Sequence, residues 1–236
     1  MEKSSVAAQR QIGGDLSLKA VLFDLGETLI KTAPLPKVFQ KILSAHGVRF
    51  SLDVDDSAFK VEDELTPEDY MLPYKDFWKT YNMKILKNLE VNGNLERLAE
   101  VLTEEWWDNA EVQLYPDVKE TLSVLRKRGL KIGIVTNGFR KDIEEILSRT
   151  GLTGVFDITV GVDDVGKPKP HKEIFHHALK VLNIPAGQAL FVGDNPRTDY
   201  EGAKNAGLKA LIIDRDDCVV GEFEKIQNLK ALLQYL

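Results

Sequence analysis

The chain has 236 residues, of which 43% are hydrophobic and 29% are charged, and its formal net charge is −6 at pH 7. This composition is typical of a globular protein with one large domain, or one domain carrying an insertion, and not of a disordered chain. The negative charge gives no electrostatic case for nucleic acid or an anionic membrane as the main partner. The single cysteine, Cys218, excludes an intrachain disulfide and cysteine-rich metal sites.

The N-terminal segment, residues 1–18, is polar and lacks the apolar stretch of a secretory signal. We therefore predict a flexible tail that precedes the first strand. No apolar run approaches the roughly 18 residues that a membrane-spanning helix needs. These features together favour a cytoplasmic protein.

Short apolar runs alternate with amphipathic segments over most of the chain. The first run, Ala20–Asp24, predicts a buried strand, and further strands are expected at Lys131–Val135, Phe156–Val160, Ala189–Val192 and Ala210–Ile213. Helices are expected between them, at Val118–Arg128, Lys141–Thr150, Lys172–Leu182 and Asp199–Ala206. This alternation predicts an α/β protein with a Rossmann-like, doubly wound parallel sheet.

The region from 34 to 115 differs because it has helical periodicity and no comparable strand pattern. We interpret it as a helical cap inserted into a core formed by 19–33 and 116–236. An insertion just after the first strand would lie above the carboxyl ends of the strands, where α/β sheets bind ligands. Its tryptophans, Trp78, Trp106 and Trp107, are expected in the packing of the cap rather than around a ligand.

Polar residues follow the predicted strands at the points where the strands end. Asp24 ends the first strand, Thr136-Asn137-Gly138 follows the second, and Gly193-Asp194 follows a later one, with Lys167 in a loop before a helix. Parallel strands bring these ends to one edge of the sheet. Carboxylates gathered there repel one another unless a hard cation is bound, and oxygen ligands favour Mg²⁺. A carboxylate at such a site can attack phosphorus to form an aspartyl phosphate that water hydrolyses.

These motifs, in this order, resemble the four motifs of the haloacid dehalogenase superfamily. The resemblance spans residues 19 to about 215 and implies a phosphatase with a helical cap. It implies that Asp24 is the nucleophile, that Thr136, with Asn137 and Gly138, and Lys167 bind the phosphoryl group, and that Thr136 and Lys167 assist catalysis. It also implies that Mg²⁺ is held by Asp24, the Gly26 carbonyl and Asp194, with Asp199 supporting that shell. The substrate would be a small phosphorylated metabolite, and the protein a monomer or homodimer.

The chain departs from the family pattern at Gly26, where phosphatases usually carry the aspartate that serves as general acid and base. Glycine cannot transfer a proton, and general acid–base help is worth roughly 10²–10⁴-fold. We therefore expect good leaving groups to be favoured. The neighbouring Glu27 could substitute only if its side chain turned toward the site.

Three alternatives stay open at this stage: a non-catalytic protein that binds a phosphorylated ligand, a 2-haloacid dehalogenase, and a phosphonatase using a cap lysine. Lys60, Lys75 and Lys79 are the cap lysines considered for the last of these.

Overall fold

The computed structural model describes residues 17–48 and 55–236. Residues 1–16 of the predicted tail therefore lie outside the described residues. Within the described ranges, no helix is long and apolar enough to cross a membrane. The strands are β1 (Ala20–Phe23), β2 (Ile30–Lys31), β3 (Gln113–Leu114), β4 (Lys131–Val135), β5 (Ile158–Val160), β6 (Ala189–Gly193), β7 (Lys209–Ile213) and β8 (Lys225–Ile226). The α-helices are α1 (Leu35–Ala45), α2 (Tyr74–Asn88), α3 (Leu95–Asn109), α4 (Val118–Lys127), α5 (Arg140–Thr150), α6 (Lys172–Leu182) and α7 (Gly202–Asn205).

Six strands form one parallel sheet in the order β5-β4-β1-β6-β7-β8. The chain builds outward from β1 through β4 to β5 and then returns to the other side of β1 with β6. This reversal is a topological switch point, and ligands of open α/β sheets bind beyond the carboxyl ends of the strands there. The predicted Rossmann-like α/β fold is confirmed.

The sheet is buried on both faces, which explains why its strands are continuously apolar rather than alternating. All four residues of β1 are fully buried. Two apolar clusters cover the faces: one includes Val21, Ile132 and Leu211, and the other includes Leu22, Phe175 and Phe191. Central strands of this kind place their C-terminal residues rigidly, so the polar side chains that follow them are held by a packed scaffold.

The helices α1, α2 and α3 form a separate unit with an apolar cluster of its own that includes Phe39, Ile85 and Leu102. The chain enters this unit after β2 and leaves it through β3, and these two strands pair antiparallel as a ribbon. The predicted cap boundaries near 34 and 115 stay a prediction, although this ribbon lies next to both.

Some elements differ from the sequence expectation. The ribbon strands β2 and β3 and the edge strand β8 are only two residues long, too short to produce a period-two pattern. The helix expected at Asp199–Ala206 begins earlier, as a π-helical turn over Pro196–Glu201 that runs into α7. Asn195 precedes this turn, and its side chain accepts hydrogen bonds from the backbone N–H groups of Arg197 and Thr198.

Candidate active site

The centre of the site is a buried ammonium group between two carboxylates. Lys169 Nζ donates to Asp24 Oδ1 and to Asp199 Oδ1, each at 2.6 Å. The side chains of Lys169 and Asp199 are 3% and 0% exposed, so both charges are almost completely removed from water. Burial alone would lower the pKa of Lys169, but attraction to Asp199 and Asp24 outweighs that effect and raises its pKa. The lysine is therefore charged and serves as the internal counterion of the site.

The sequence-based assignment of Lys167 as the site lysine is wrong. Its side chain is exposed and pairs with Glu173 at 2.6 Å on the surface, whereas Lys169 reaches Asp24. Both lysines precede a proline in the run Lys167-Pro168-Lys169-Pro170, so local sequence did not distinguish them. The deciding contact is from Asn137, whose side chain accepts from the Lys169 N–H at 2.6 Å and donates to its carbonyl at 3.2 Å.

A third carboxylate, Asp194, completes the acidic cluster. Oxygen atoms of Asp24, Asp194 and Asp199 lie within 4.8 Å of one another. Burial, together with repulsion from Asp24 and Asp199, raises the pKa of Asp194 to about 7. Burial likewise raises the pKa of Asp199, to about 6, although Lys169 counteracts it. Three carboxylates beside one ammonium group carry more negative charge than the lysine neutralises, which is the electrostatic condition for binding a cation.

The approach of Asp199 to the sheet depends on a glycine. Asp199 Oδ2 accepts from the backbone N–H of Asn195 at 3.0 Å, which folds the π-helical turn back over the end of β6. A Cβ atom on Gly193 would lie 2.3 Å from this same carboxylate oxygen. Residue 193 must therefore be glycine for the carboxylate to fit, which gives the Gly193-Asp194 motif a steric reason in addition to a chemical one.

The three residues that follow β4, Thr136 to Gly138, make different contacts. Thr136 is buried, and its hydroxyl accepts from the Gly138 N–H at 3.3 Å. Because β4 pairs directly with β1, Thr136 and Asp24 follow neighbouring strands. Asn137 uses its amide to hold the Lys169 backbone, so the structure gives it a positioning role beside the predicted contact with the phosphoryl group. The phosphoryl-binding roles of Thr136, Asn137 and Gly138 stay a prediction.

Gly26 lies in a tight turn just beyond Asp24. Its carbonyl accepts from the Thr28 N–H at 2.5 Å, which uses one of its two lone pairs. A metal could take the other, and this role stays a prediction. A Cβ atom at Gly26 would meet nothing within 4 Å, so close packing does not require glycine at this position.

Glu27 does not replace the missing acid in this structure. It has a left-handed backbone conformation, with φ of 48°, and its exposed carboxylate accepts from the Tyr115 hydroxyl at 2.9 Å. The Tyr115 ring in turn lies against Arg215, whose guanidinium carbon is 3.6 Å from the ring centroid. Arg215 also pairs with Asp117 and donates to the Thr28 carbonyl at 2.7 Å. This outer set of contacts fixes the turn after Asp24, and sequence patterns did not indicate it.

A cavity of about 870 Å³ opens between the cap helices and the core at this edge of the sheet. On the core side it is lined by Asn137, Lys169 and Asn195, and on the cap side by Lys60, Tyr70, Phe77 and Tyr81, among others. Lys75 and Lys79 do not line it and instead pair with Glu104 and Glu100 on the cap surface. Of the three cap lysines considered for Schiff-base chemistry, only Lys60 borders the cavity.

The geometry places a buried cluster of three carboxylates and one lysine at the switch point of a Rossmann-like sheet. Residues 18–207 match a family model described as haloacid dehalogenase-like hydrolase. The chain belongs to this family of hydrolases. The expectation from the four motifs is confirmed at that level.

The similarity extends to named relatives. The chain is 32% identical over 197 residues to a glyceraldehyde 3-phosphate phosphatase of Pyrococcus furiosus, covering 82% of this chain and 80% of the relative. A haloacid dehalogenase-type phosphatase from Thermococcus onnurineus superposes with a TM-score of 0.63 at 29% identity, covering 92% and 97% of the two chains. These relatives support a phosphatase of this family.

A 2-haloacid dehalogenase from Pseudomonas syringae superposes with a TM-score of 0.67 at 24% identity, covering 92% of this chain and 97% of that one. At this level of identity the likeness shows the shared fold alone.

Proposed function

We propose that the protein is a Mg²⁺-dependent phosphatase that hydrolyses small phosphomonoesters through an aspartyl phosphate on Asp24. The observation that carries this proposal is the buried arrangement of Lys169 between Asp24 and Asp199, with Asp194 beside them. One ammonium group neutralises only one of three carboxylates, so the remaining negative charge favours binding of a cation. The cavity of about 870 Å³ suits a metabolite rather than a macromolecule.

The donor set fits Mg²⁺. The side-chain ligands available are carboxylate oxygens, which this hard cation prefers, and three of them lie close enough to surround one ion. Asp24, Asp194 and the Gly26 carbonyl would hold the ion, and Asp199 would support them. Mg²⁺, when bound, would neutralise charge on the phosphoryl oxygens.

The residues of the chain account for two steps. In the first, Asp24 Oδ2 attacks phosphorus while Lys169 holds Oδ1, and the bond from phosphorus to the leaving oxygen breaks. Lys169 and the Thr136 hydroxyl would stabilise the charge that develops on the phosphoryl oxygens. In the second step water attacks phosphorus, the bond to Asp24 breaks, and inorganic phosphate is released with the carboxylate regenerated.

The leaving oxygen departs without a proton from residue 26, because glycine has no acid to offer. Glu27 is held away by Tyr115. The rate of the first step should therefore depend strongly on the stability of the departing anion. The anions released from acyl phosphates, sugar 1-phosphates and aryl phosphates are more stable than those released from sugar 6-phosphates. We therefore propose that the first three classes are the better substrates.

Hydrolysis of p-nitrophenyl phosphate with and without Mg²⁺ tests the proposal, with Asp24→Asn as the paired variant. We expect turnover that requires Mg²⁺ and disappears in Asp24→Asn. Wild-type protein that binds phosphate but gives no Asp24-dependent turnover on any activated phosphate would favour a non-catalytic phospho-ligand-binding role. Halide release from a 2-haloacid without metal would instead favour carbon–halogen cleavage.

A further inference from the structure

One carboxylate outside the acidic cluster joins the cap to the core. Asp142 lies in the first turn of α5 and is 4% exposed. Its Oδ1 accepts from the Tyr74 hydroxyl at 2.7 Å and from the Trp107 indole N–H at 3.2 Å. Its Oδ2 accepts from the Trp78 indole N–H at 3.1 Å and from the Phe139 backbone N–H at 3.0 Å. Three of the four donors thus belong to the cap.

Asp142 accepts more hydrogen bonds than capping of the α5 N-terminus explains. An acidic residue in the first turn commonly accepts from the backbone N–H that precedes the helix, which explains the bond from Phe139. It does not explain three donors from two cap helices. An ionised carboxylate offers about four acceptor positions, and all of them are used here. No ion pair to Asp142 is found within residues 17–48 and 55–236. Burial raises the pKa of Asp142, and the neutral donors together with the N-terminus of α5 oppose that effect by stabilising the carboxylate.

The same contact reaches the loop that follows β4. Phe139, between Thr136 and Asp142, packs its ring 4.7 Å from Phe77 and 5.7 Å from Tyr74, measured between centroids. Phe77, Phe139 and Val162 form a small apolar cluster across the boundary. The cap therefore rests directly on the segment that carries Thr136.

The contact on the other side of β1 is much weaker. Arg197, which follows β6, approaches Asp63 of the cap at 3.4 Å, with side chains 72% and 89% exposed. Exposed pairs of this kind contribute little to stability. The two contacts between cap and core are thus unequal, with a buried, directional one at Asp142 and a solvated one at Arg197.

We propose that Asp142 is a positioning residue that docks the cap onto the Thr136–Phe139 loop and so sets the closed form of the cavity. Asp142 is the fixed edge of the cap, and the Arg197 side is the edge that opens. The kinetic consequence rests on the proposed phosphatase function, whereas the structural consequence does not. If docking is lost, only a fraction of molecules is competent to bind substrate, and the apparent affinity falls by that fraction.

Asp142→Asn tests this with little change in volume. If the amide oxygen keeps the bonds from Tyr74 and Trp107, the amide nitrogen faces two N–H donors, from Trp78 and Phe139, and cannot accept from either. Tyr74→Phe and Trp107→Phe each remove one donor and leave the carboxylate in place. The matched control is Trp106→Phe: this neighbouring indole packs against Phe39 within the cap, with ring centroids 6.1 Å apart.

Hydrogen exchange followed by mass spectrometry is the readout that needs no turnover. In Asp142→Asn we expect about tenfold faster amide exchange over 136–143 and at the start of α2, with β1 unchanged. We expect KM for p-nitrophenyl phosphate to rise about tenfold, with a smaller change in kcat. Tyr74→Phe and Trp107→Phe should show smaller increases in the exchange rate over 136–143 and in KM. If Asp142→Asn does not fold, these two variants test the docking role instead. Trp106→Phe should leave exchange over 136–143 as in the wild type.

Unchanged exchange over 136–143 in Asp142→Asn, Tyr74→Phe and Trp107→Phe would overturn the docking role, as would an equal effect of Trp106→Phe. If the wild type hydrolyses no phosphate, the proposed function fails, and the exchange data still decide whether Asp142 docks the cap.

Discussion

Replacement of Lys169 by methionine tests the central electrostatic argument. The substitution keeps the length of the side chain and removes the ammonium group. Two carboxylates, Asp24 and Asp199, then lose a partner at 2.6 Å in a region where the lysine side chain is 3% exposed. At an effective dielectric constant of about 20, each of these contacts is worth about 6 kcal/mol before desolvation is counted.

Most of that gross attraction offsets the cost of burying three ions, so the net effect is smaller. Removing one partner of a buried ion pair typically costs about 3–5 kcal/mol, because the remaining charge is left uncompensated. We expect Lys169→Met to lower the free energy of unfolding by this amount at pH 7 without metal. The loss should shrink when Mg²⁺ is added, since the cation replaces the missing positive charge. It should also shrink at pH 5, because burial raises the pKa of Asp194 to about 7 and of Asp199 to about 6, so both bind protons there.

Urea unfolding with and without Mg²⁺ measures these differences, and Lys167→Met is the matched control. The Lys167 side chain is 53% exposed in its pair with Glu173, and such surface pairs contribute about 0–1 kcal/mol. Equal losses of stability in the two methionine variants would refute the counterion role of Lys169, as would a loss in Lys169→Met that Mg²⁺ does not reduce.

Three further outcomes are expected. A Cβ atom at Gly26 meets nothing within 4 Å, so Gly26→Asp adds no clash at that atom. Its gain in kcat/KM, up to roughly 10²-fold, should be larger for sugar 6-phosphates than for p-nitrophenyl phosphate, and equal gains would contradict the leaving-group argument. Burial raises the pKa of Asp194 to about 7, so Mg²⁺ that binds at pH 6 should displace a proton from it. Calorimetry should show affinity about tenfold weaker at pH 6 than at pH 8, whereas equal affinities would argue against Asp194 as a ligand. Gly133→Ala would place a Cβ 2.6 Å from Ile158 Cγ2 and 2.8 Å from Leu22 Cδ2, and we expect the free energy of unfolding, measured by thermal unfolding, to fall by about 1–3 kcal/mol. Gly187→Ala is the control: its Cβ meets no atom within 4 Å, so its free energy of unfolding should stay within about 0.5 kcal/mol of the wild type, and equal losses would contradict the packing argument.

The sheet could be predicted from the sequence because its signal is local. Lys131–Val135 was expected as a strand and forms β4 with the same bounds, since a continuous apolar run suits a strand covered on both faces. The carboxyl ends of such strands then bring Asp24 and Asp194 together without further information. The parallel topology of the sheet therefore determines where these two carboxylates of the acidic cluster lie.

Two parts of the site depended on contacts between distant residues and were not predictable in this way. Asn137, which lies 32 residues earlier in the chain, binds the backbone of Lys169. The sequence around Lys167 and Lys169 therefore does not show which of the two lysines enters the site. Asp142 accepts from three cap side chains that lie 35 to 68 residues away in the chain. No periodicity connects residues across such separations.

The ribbon of β2 and β3 has a consequence for engineering. Ile30 pairs with Leu114 and Lys31 with Gln113, so the two crossings between cap and core lie side by side, at the roughly 5 Å spacing of antiparallel partners. A two-residue turn is sufficient to close such a pair. The segment between β2 and β3 therefore has adjacent ends, and replacing it by another insertion would interrupt no strand of the parallel sheet. The ribbon is thus the position at which a different insertion would be joined to the core.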